Sequence, residues 1–496
     1  MRLTKPNGIT RRRSIFLGVL ASVMMILMSC NNEPTQSTAL IPDDAALVMR
    51  LQLQQALADD DGSLMAEGIK RLLRQCGMSR PLRRQVEKLI DNPQRTGIDM
   101  QQPLYFFTSL SGERAMVGTV SSRSKLLSVV NSIARDEHLD HQVTTTDEGL
   151  SMLDADSIVC LFTDDWFYIG RTDDANTTAA DVSRRAGGAS SCNVELLNGS
   201  DDAVVLLLVT GMGLQEAVDL GTIGDAMPVD VDLAEASLLF SLTTQKGEAT
   251  LTARLCPDSD PWRQFISDTD DMMLPVDRQQ ARYLSDRGLA LLAHTDVQAL
   301  HDVAEALAHA THADDEGTLQ TIDNIFQSFK GSLQADIYAL EQPGCRMNLY
   351  ISSRDTTMAR LVRELVLSDD STLTLAPHQY VFPLDTIAAR KATFGFSEGY
   401  TYLVTDSTPA FTTAASRMPA DGIQGHGVYA RMNGSMLSTM STDSLGNVGR
   451  ETVRLLGTTC RYVEAFYQQG GTIVVRFHTN EANHSALAVW LSNVEI

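Results

Sequence analysis

His301, Glu305, His309 and His312 fall on one face of a predicted helix that begins at Val297. At 100° per residue their directions span an arc of about 80°. One face could therefore present three imidazoles and a carboxylate, a donor set that suits zinc or nickel. Leu300, Val303, Leu307 and Ala310 lie on the other side and form the expected buried stripe. On that reading the histidines face water, and the expectation is a solvated polar face without metal. A metal-assisted hydrolase using His301, His309 and His312 is the alternative.

Three further patterns invite chemistry and fall short of it. Thr210-Gly211-Met212-Gly213-Leu214-Gln215-Glu216 follows a predicted strand and opens a helix, as a dinucleotide loop does, but Glu216 stands where the third glycine should be. Its carboxylate would oppose a pyrophosphate, so a local turn is expected. Asp59-Asp60-Asp61-Gly62-Ser63 lacks both the first and the last ligand of a calcium loop. The acidic runs at 268–271 and 314–316 are expected to be solvated loops. There is no Gly-x-Ser-x-Gly elbow, Walker loop or His-Glu-x-x-His. No catalytic residue and no cofactor is expected, and the chain does not read as an enzyme.

The elements that would position such residues are strands, hairpins and helices in irregular alternation. Buried strands followed by helices are predicted to start near Ala45, Val204, Gly288 and Val428, and the four segments resemble one another. Between them, paired strand patterns with glycine- or aspartate-bearing turns occupy residues 104–120, 157–170, 236–255, 331–352, 394–404 and 462–477. Helical periodicity marks residues 125–135, 297–310, 319–330 and 358–367. Hairpins mixed with helices, without regular βαβ alternation, predict an α+β fold of antiparallel sheets with helices packed on them. Four consecutive units are expected, at 41–190, 191–275, 276–420 and 421–496.

The N-terminus carries the clearest chemical instruction. Arg2, Lys5, Arg11, Arg12 and Arg13 precede an apolar run over residues 15–28, then Ser29 and Cys30. This is the order of a bacterial export signal, and the run is shorter than the roughly 20 residues a bilayer-spanning helix needs. Leu27-Met28-Ser29-Cys30 resembles a lipobox. Residues 1–29 are thus expected to be a signal peptide, Cys30 the lipidated residue, and residues 30–40 a polar tether, with the lipid bilayer as one partner and an envelope protein as another.

Five basic and no acidic residues precede Cys30, so their removal takes the formal charge from −22 to −27. Nucleic acid is excluded as a partner, because affinity for phosphate backbones comes from Lys and Arg displacing counterions. Aromatic residues make up 6% of the chain. That counts against the other binding role considered, substrate capture for nutrient uptake, since sugars are generally held by stacking on exposed rings. Cys76, Cys160, Cys192, Cys256, Cys345 and Cys460 show no Cys-x-x-Cys spacing and are expected to be mostly buried free thiols. Asp-Ser/Thr tripeptides at Asp156, Asp355, Asp370, Asp385, Asp406 and Asp443 resemble O-glycosylation sites.

The lipobox, the short polar tether, Ile41-Pro42-Asp43-Asp44-Ala45 ahead of a buried strand, and the repeated strand-helix-hairpin units together resemble a group of Bacteroidota envelope lipoproteins, catalogued as a family of unknown function. That resemblance implies an envelope location, at the outer membrane, and a binding or interaction role. It supplies no catalytic residues.

Overall fold

A computed structural model describes residues 36–52, 62–75, 80–99, 101–136, 142–155, 157–188, 195–198, 202–218, 232–276, 280–281, 283–286, 288–310, 315–339, 346–366, 373–385, 390–405, 423, 425–439 and 447–494. Cys30 and the residues before it lie outside the described part, as do Asp59–Asp61 and His312.

The chain order begins with β1 (Ala45–Leu51), α1 (Gly62–Gln75), α2 (Arg80–Asp91), β2 (Leu104–Ser109), β3 (Arg114–Thr119), α3 (Arg123–Asp136) and β4 (Thr144–Thr145). It continues with β5 (Ser151–Asp154), β6 (Ile158–Phe162), β7 (Trp166–Arg171), α4 (Ala175–Ala186), β8 (Val205–Val209), α5 (Gly211–Val218), β9 (Ala236–Gln245), β10 (Glu248–Pro257) and α6 (Asp260–Met272). Next come β11 (Leu289–His294), α7 (Val297–Ala310), α8 (Glu316–Ser328), β12 (Phe329–Ala339), β13 (Arg346–Ser353), α9 (Thr357–Val366), β14 (Leu373–Ala376) and β15 (Gln379–Asp385). The last elements are β16 (Arg390–Ser397), β17 (Tyr400–Thr405), β18 (Val428–Asn433), α10 (Gly434–Thr439), α11 (Asn447–Thr459), β19 (Cys460–Gln468), β20 (Thr472–Thr479) and α12 (Ala486–Asn493). The strands of all six predicted hairpins are present and paired with each other.

These elements form an α+β fold of antiparallel strands with helices packed on them. They divide into two compact units, one of Met1–Ala217, Ala236–Ala253 and Glu481–Ile496, the other of Val218–Glu235 and Arg254–Asn480. Four consecutive units were expected; the difference has a hydrogen-bonding cause. Strand β8 does not open a unit of its own but pairs with β1, Val48 opposite Leu208. Likewise β18 pairs with β11, Leu292 opposite Tyr429.

In the first unit the strand order is β9-β8-β1-β2-β3-β7-β6-β5-β4. In the second it is β19-β18-β11-β12-β13-β17-β16-β15-β14. Each strand of the second order is its counterpart in the first moved ten places along the chain. The counterpart strands β1 and β11 are each followed by two helices.

Burial in the first unit follows from composition. Strand β6 reads Ile-Val-Cys-Leu-Phe and is buried at every position, so both of its faces are covered. On one face Met65 and Ile69 of α1, Val86 and Ile90 of α2 and Leu126 and Val130 of α3 share a core with Leu104, Met116, Phe162 and Phe167. Each such side chain contributes about 1.5–3 kcal/mol on burial. The turn Gln36–Leu40 packs against α4, β3 and β7, and its Ser37, Thr38 and Leu40 are buried. Residues 36–40, expected to belong to the tether, are therefore part of the folded body.

Helix α12 closes the first unit by lying on α1, where Arg71 donates to the Ser492 carbonyl. Gly68 makes the approach possible: a Cβ there would sit 2.8 Å from the Leu491 backbone. In the second unit α6 lies on α7. The three-residue β19–β20 turn, residues 469–471, places Gly470 and Gly471 at φ of 80° and 64°, left-handed conformations that glycine adopts without strain. Asp270 of α6 holds that turn, accepting from Gly470 N at 2.8 Å and from the Tyr467 hydroxyl. The acidic run at 268–271 thus lies in a helix rather than in the expected loop. Asp315 is exposed and extended just before α8, which it caps by accepting from Gly317 N and Thr318 N.

Candidate functional site

Helix α7 starts where predicted, but its buried face is rotated from the one expected. Val303 and Leu307 are each 42% exposed, whereas Ala308 is buried and the His301 side chain is only 17% exposed. The periodicity marked the apolar stripe correctly as a stripe; its orientation is decided by α6 and α8, which pack on the other side. His301 therefore points into the helix layer and not to water.

There His301 Nε2 lies 2.8 Å from Asp323 Oδ1 of α8, and Phe326, one turn further on, meets the imidazole edge to face at 5.2 Å. The hydrogen bond with Asp323 raises the imidazole pKa above its ordinary value, against an opposing effect of burial and with help from Glu305. On its other side, Nδ1 is 3.6 Å from Asp302 and 3.9 Å from Glu305. Of the four residues placed on one helix face, the structure brings His301 and Glu305 together. His309 is exposed further along the helix, and His312 is outside the described residues.

Asp302 and Asp323 were missed. Asp302 is adjacent to His301 in sequence but a hundred degrees around the helix; Asp323 comes from another helix, and its only local signal is its i,i+3 pairing with Phe326. A pocket of about 570 Å³ borders the cluster, lined by Thr295, Asp296, His301, Asp323, Lys330 and Arg354 among others. It offers both signs of charge around one imidazole.

The other motifs resolve into structure. Gly213 faces the Ala46 carbonyl so closely that a Cβ would collide, which is why a glycine stands in the first turn of α5. Thr210 Oγ1 also donates to Ala45 O at 2.9 Å. The glycine loop thus docks a helix onto β1. Asp355, in one of the glycosylation-like tripeptides, accepts from Thr357 N at 2.8 Å and from the Ser328 hydroxyl. Cys160, Cys256 and Cys460 are buried free thiols, and Cys76, Cys192 and Cys345 lie outside the described residues.

Two polar clusters had no sequence signal. In the first unit Glu113 accepts from Arg185 at 2.7 Å and from the Tyr168 hydroxyl at 2.8 Å, beside a pocket of about 470 Å³. In the second, the buried Glu464 accepts from Tyr429 and His478 at 2.9 and 3.1 Å. On the same sheet Gln334 is fully buried with neither amide atom hydrogen-bonded.

The class these features define is an α+β protein of antiparallel sheets and packed helices, with one group of three histidine and carboxylate side chains close enough to share a metal ion among its described residues. No helix among those residues is long and apolar enough to cross a membrane. No family model and no curated protein matches the chain. Solved structures of TP0453 are similar: crystal form IV at 10% identity and TM-score 0.27, covering 44% of this chain and 80% of that one. Crystal form III, at 11% identity and TM-score 0.30, covers 49% of this chain and 89% of that one. Crystal form I, also at 11% identity and with TM-score 0.29, covers 50% and 90%. At such TM-scores the likeness carries no argument about fold or role.

Proposed function

We propose that this chain is an envelope lipoprotein, anchored in a membrane through acylated Cys30, whose folded body binds a partner rather than catalysing a reaction. The observation that carries the reading is the spacing of anchor and body. Cys30 ends the export-type sequence, and the first described turn starts at Gln36. The five intervening residues span at most about 18 Å even when fully extended. A body on so short a leash stays at the membrane surface, where two or more acyl chains hold it stably and one alone would not. The common strand order of the two units supports a duplicated module, which offers a partner two related surfaces. The Bacteroidota family resembled by the sequence is part of this proposal, as is the outer membrane as its location.

The test is metabolic labelling with an alkyne-bearing palmitate, followed by fractionation. The intact chain should take up label and sediment with membranes, and Cys30→Ala should lose both properties. Unchanged sedimentation of Cys30→Ala would sink the anchor. For the binding role, mild crosslinking of native envelopes should return a reproducible partner; no partner, together with hydrolysis of a substrate from a broad panel, reverses the reading.

A further inference from the structure

His301 Nδ1 is shielded from solvent and has no hydrogen-bond partner. Oxygens of Asp302 and Glu305 stand 3.6 and 3.9 Å from it, too far to accept a hydrogen bond. All three atoms lie within 4.8 Å of one another. Two donors bound about 2.1 Å from a shared cation stand roughly 3.0–3.4 Å apart, so small side-chain rotations convert this gap into a coordination sphere. Gln298 Nε2 donates to the Asp302 oxygen at 2.8 Å, which leaves that oxygen a second lone pair.

The second ring nitrogen completes the argument. Histidines that ligate metal commonly donate their other N–H to a carboxylate, which fixes the tautomer and the ring orientation. Asp323 stands 2.8 Å from Nε2, and Phe326 holds the ring plane. With the proton on Nε2, the lone pair of Nδ1 faces the two carboxylates.

We infer that His301 Nδ1, Asp302 and Glu305 form a site for a divalent transition-metal ion, with Asp323 as the residue that positions the imidazole. One nitrogen and two oxygen donors favour zinc, nickel or cobalt over calcium and magnesium, which prefer all-oxygen shells. Three protein ligands leave the remaining positions to water, as in exchangeable sites rather than closed structural ones. The ion also offsets the three carboxylates gathered around one ring. This site is independent of the anchoring and binding role proposed above.

The test uses the full chain, purified in detergent, freed of metal with a chelator and titrated calorimetrically with zinc, nickel, calcium and magnesium. Zinc should bind at one ion per chain, with calcium and magnesium inert. Asp323→Asn should weaken zinc about 10–100-fold, the usual cost of losing such a partner. His301→Ala and Glu305→Gln should abolish the site, and His309→Ala should leave it intact. Circular dichroism of each variant separates lost binding from lost folding, and Glu305→Gln, at a half-exposed helix position, is the variant least able to unfold the chain. Failure of the chelated chain to retain zinc through dialysis, or zinc affinity unchanged in both His301→Ala and Glu305→Gln, overturns the site. Unchanged affinity in Asp323→Asn overturns the positioning role.

Discussion

Helices α1 and α2 in the first unit and α7 and α8 in the second follow equivalent strands, β1 and β11, yet they are filled with different chemistry. The first pair buries Met65, Ile69, Val86 and Ile90 in one hydrocarbon core with the sheet. The second pair meets through His301, Asp323 and Phe326, borders a pocket and leaves Val303 and Leu307 in water. The opposite sheet faces differ in the same sense. Val48 stands beside Phe107 and Leu208 in the first unit, while Gln334 stands beside Tyr350 in the second. One strand order therefore supports both an apolar and a more polar filling between its sheet and these helices.

The largest expected effect tests that contrast at matched helices. Ile69→Ala in α1 should cost about 2–5 kcal/mol, through lost transfer energy and the cavity left behind. Val303→Ala in α7 should stay within about 0.5 kcal/mol, as exposed substitutions do. Urea denaturation of both variants measures the difference, and equal costs would break the comparison.

A smaller effect is expected where α12 meets α1. Glycine to alanine inside a helix normally gains up to about 1 kcal/mol. At Gly68 the new methyl would press on the Leu491 backbone, so Gly68→Ala should instead destabilise by roughly 1–3 kcal/mol. A lower melting temperature and faster proteolytic release of the C-terminal segment check it.

Much of the fold was legible. The four strand starts at β1, β8, β11 and β18 announced themselves through their likeness to one another, and the hairpin turns through residues such as Gly470 and Gly471. What was illegible is relational. The periodicity of α7 cannot say which side its neighbours cover, so His301 was turned the wrong way. Asp268 to Asp271 read as a loop because an acidic run looks the same on a solvated helix face. Asp323 lies twenty-two positions from His301 and bears no local mark. The pairing of β8 with β1 joins distant segments for the same reason.

Acid should sharpen the contrast further by loosening the polar unit. Burial alone would raise the Glu464 pKa, but hydrogen bonds from His478 and Tyr429 outweigh it and hold the value below 4.5. The folded state thus favours the carboxylate, so this stability is complete above the ordinary value and is lost as pH falls through the folded one. His426 is held below 6.5, first by burial and then by Arg476. The folded state favours its neutral form, so stability also falls once pH drops under 6.5. Urea midpoints taken between about pH 7 and about pH 2.5 should decline in two steps. Glu464→Gln should remove the lower step and His426→Gln the upper.

The smallest expected effect is a silence. Burial pushes the Cys160 thiol up to about 12, so in the folded first unit it should resist maleimide near neutral pH and react only in denaturant. Rapid labelling of Cys160 would show that the apolar filling admits solvent.

Helix α12 also sets a timetable. Arg71 and Ser492 are 421 positions apart in sequence, yet their contact helps close the first unit. A chain made from its N-terminus displays α1 long before its partner helix exists. The unit begun first is therefore finished last, and every intermediate length carries an open groove beside Gly68. A loss of only residues 486–493 would therefore uncover the opposite end of the sequence, the α1 face beside Gly68.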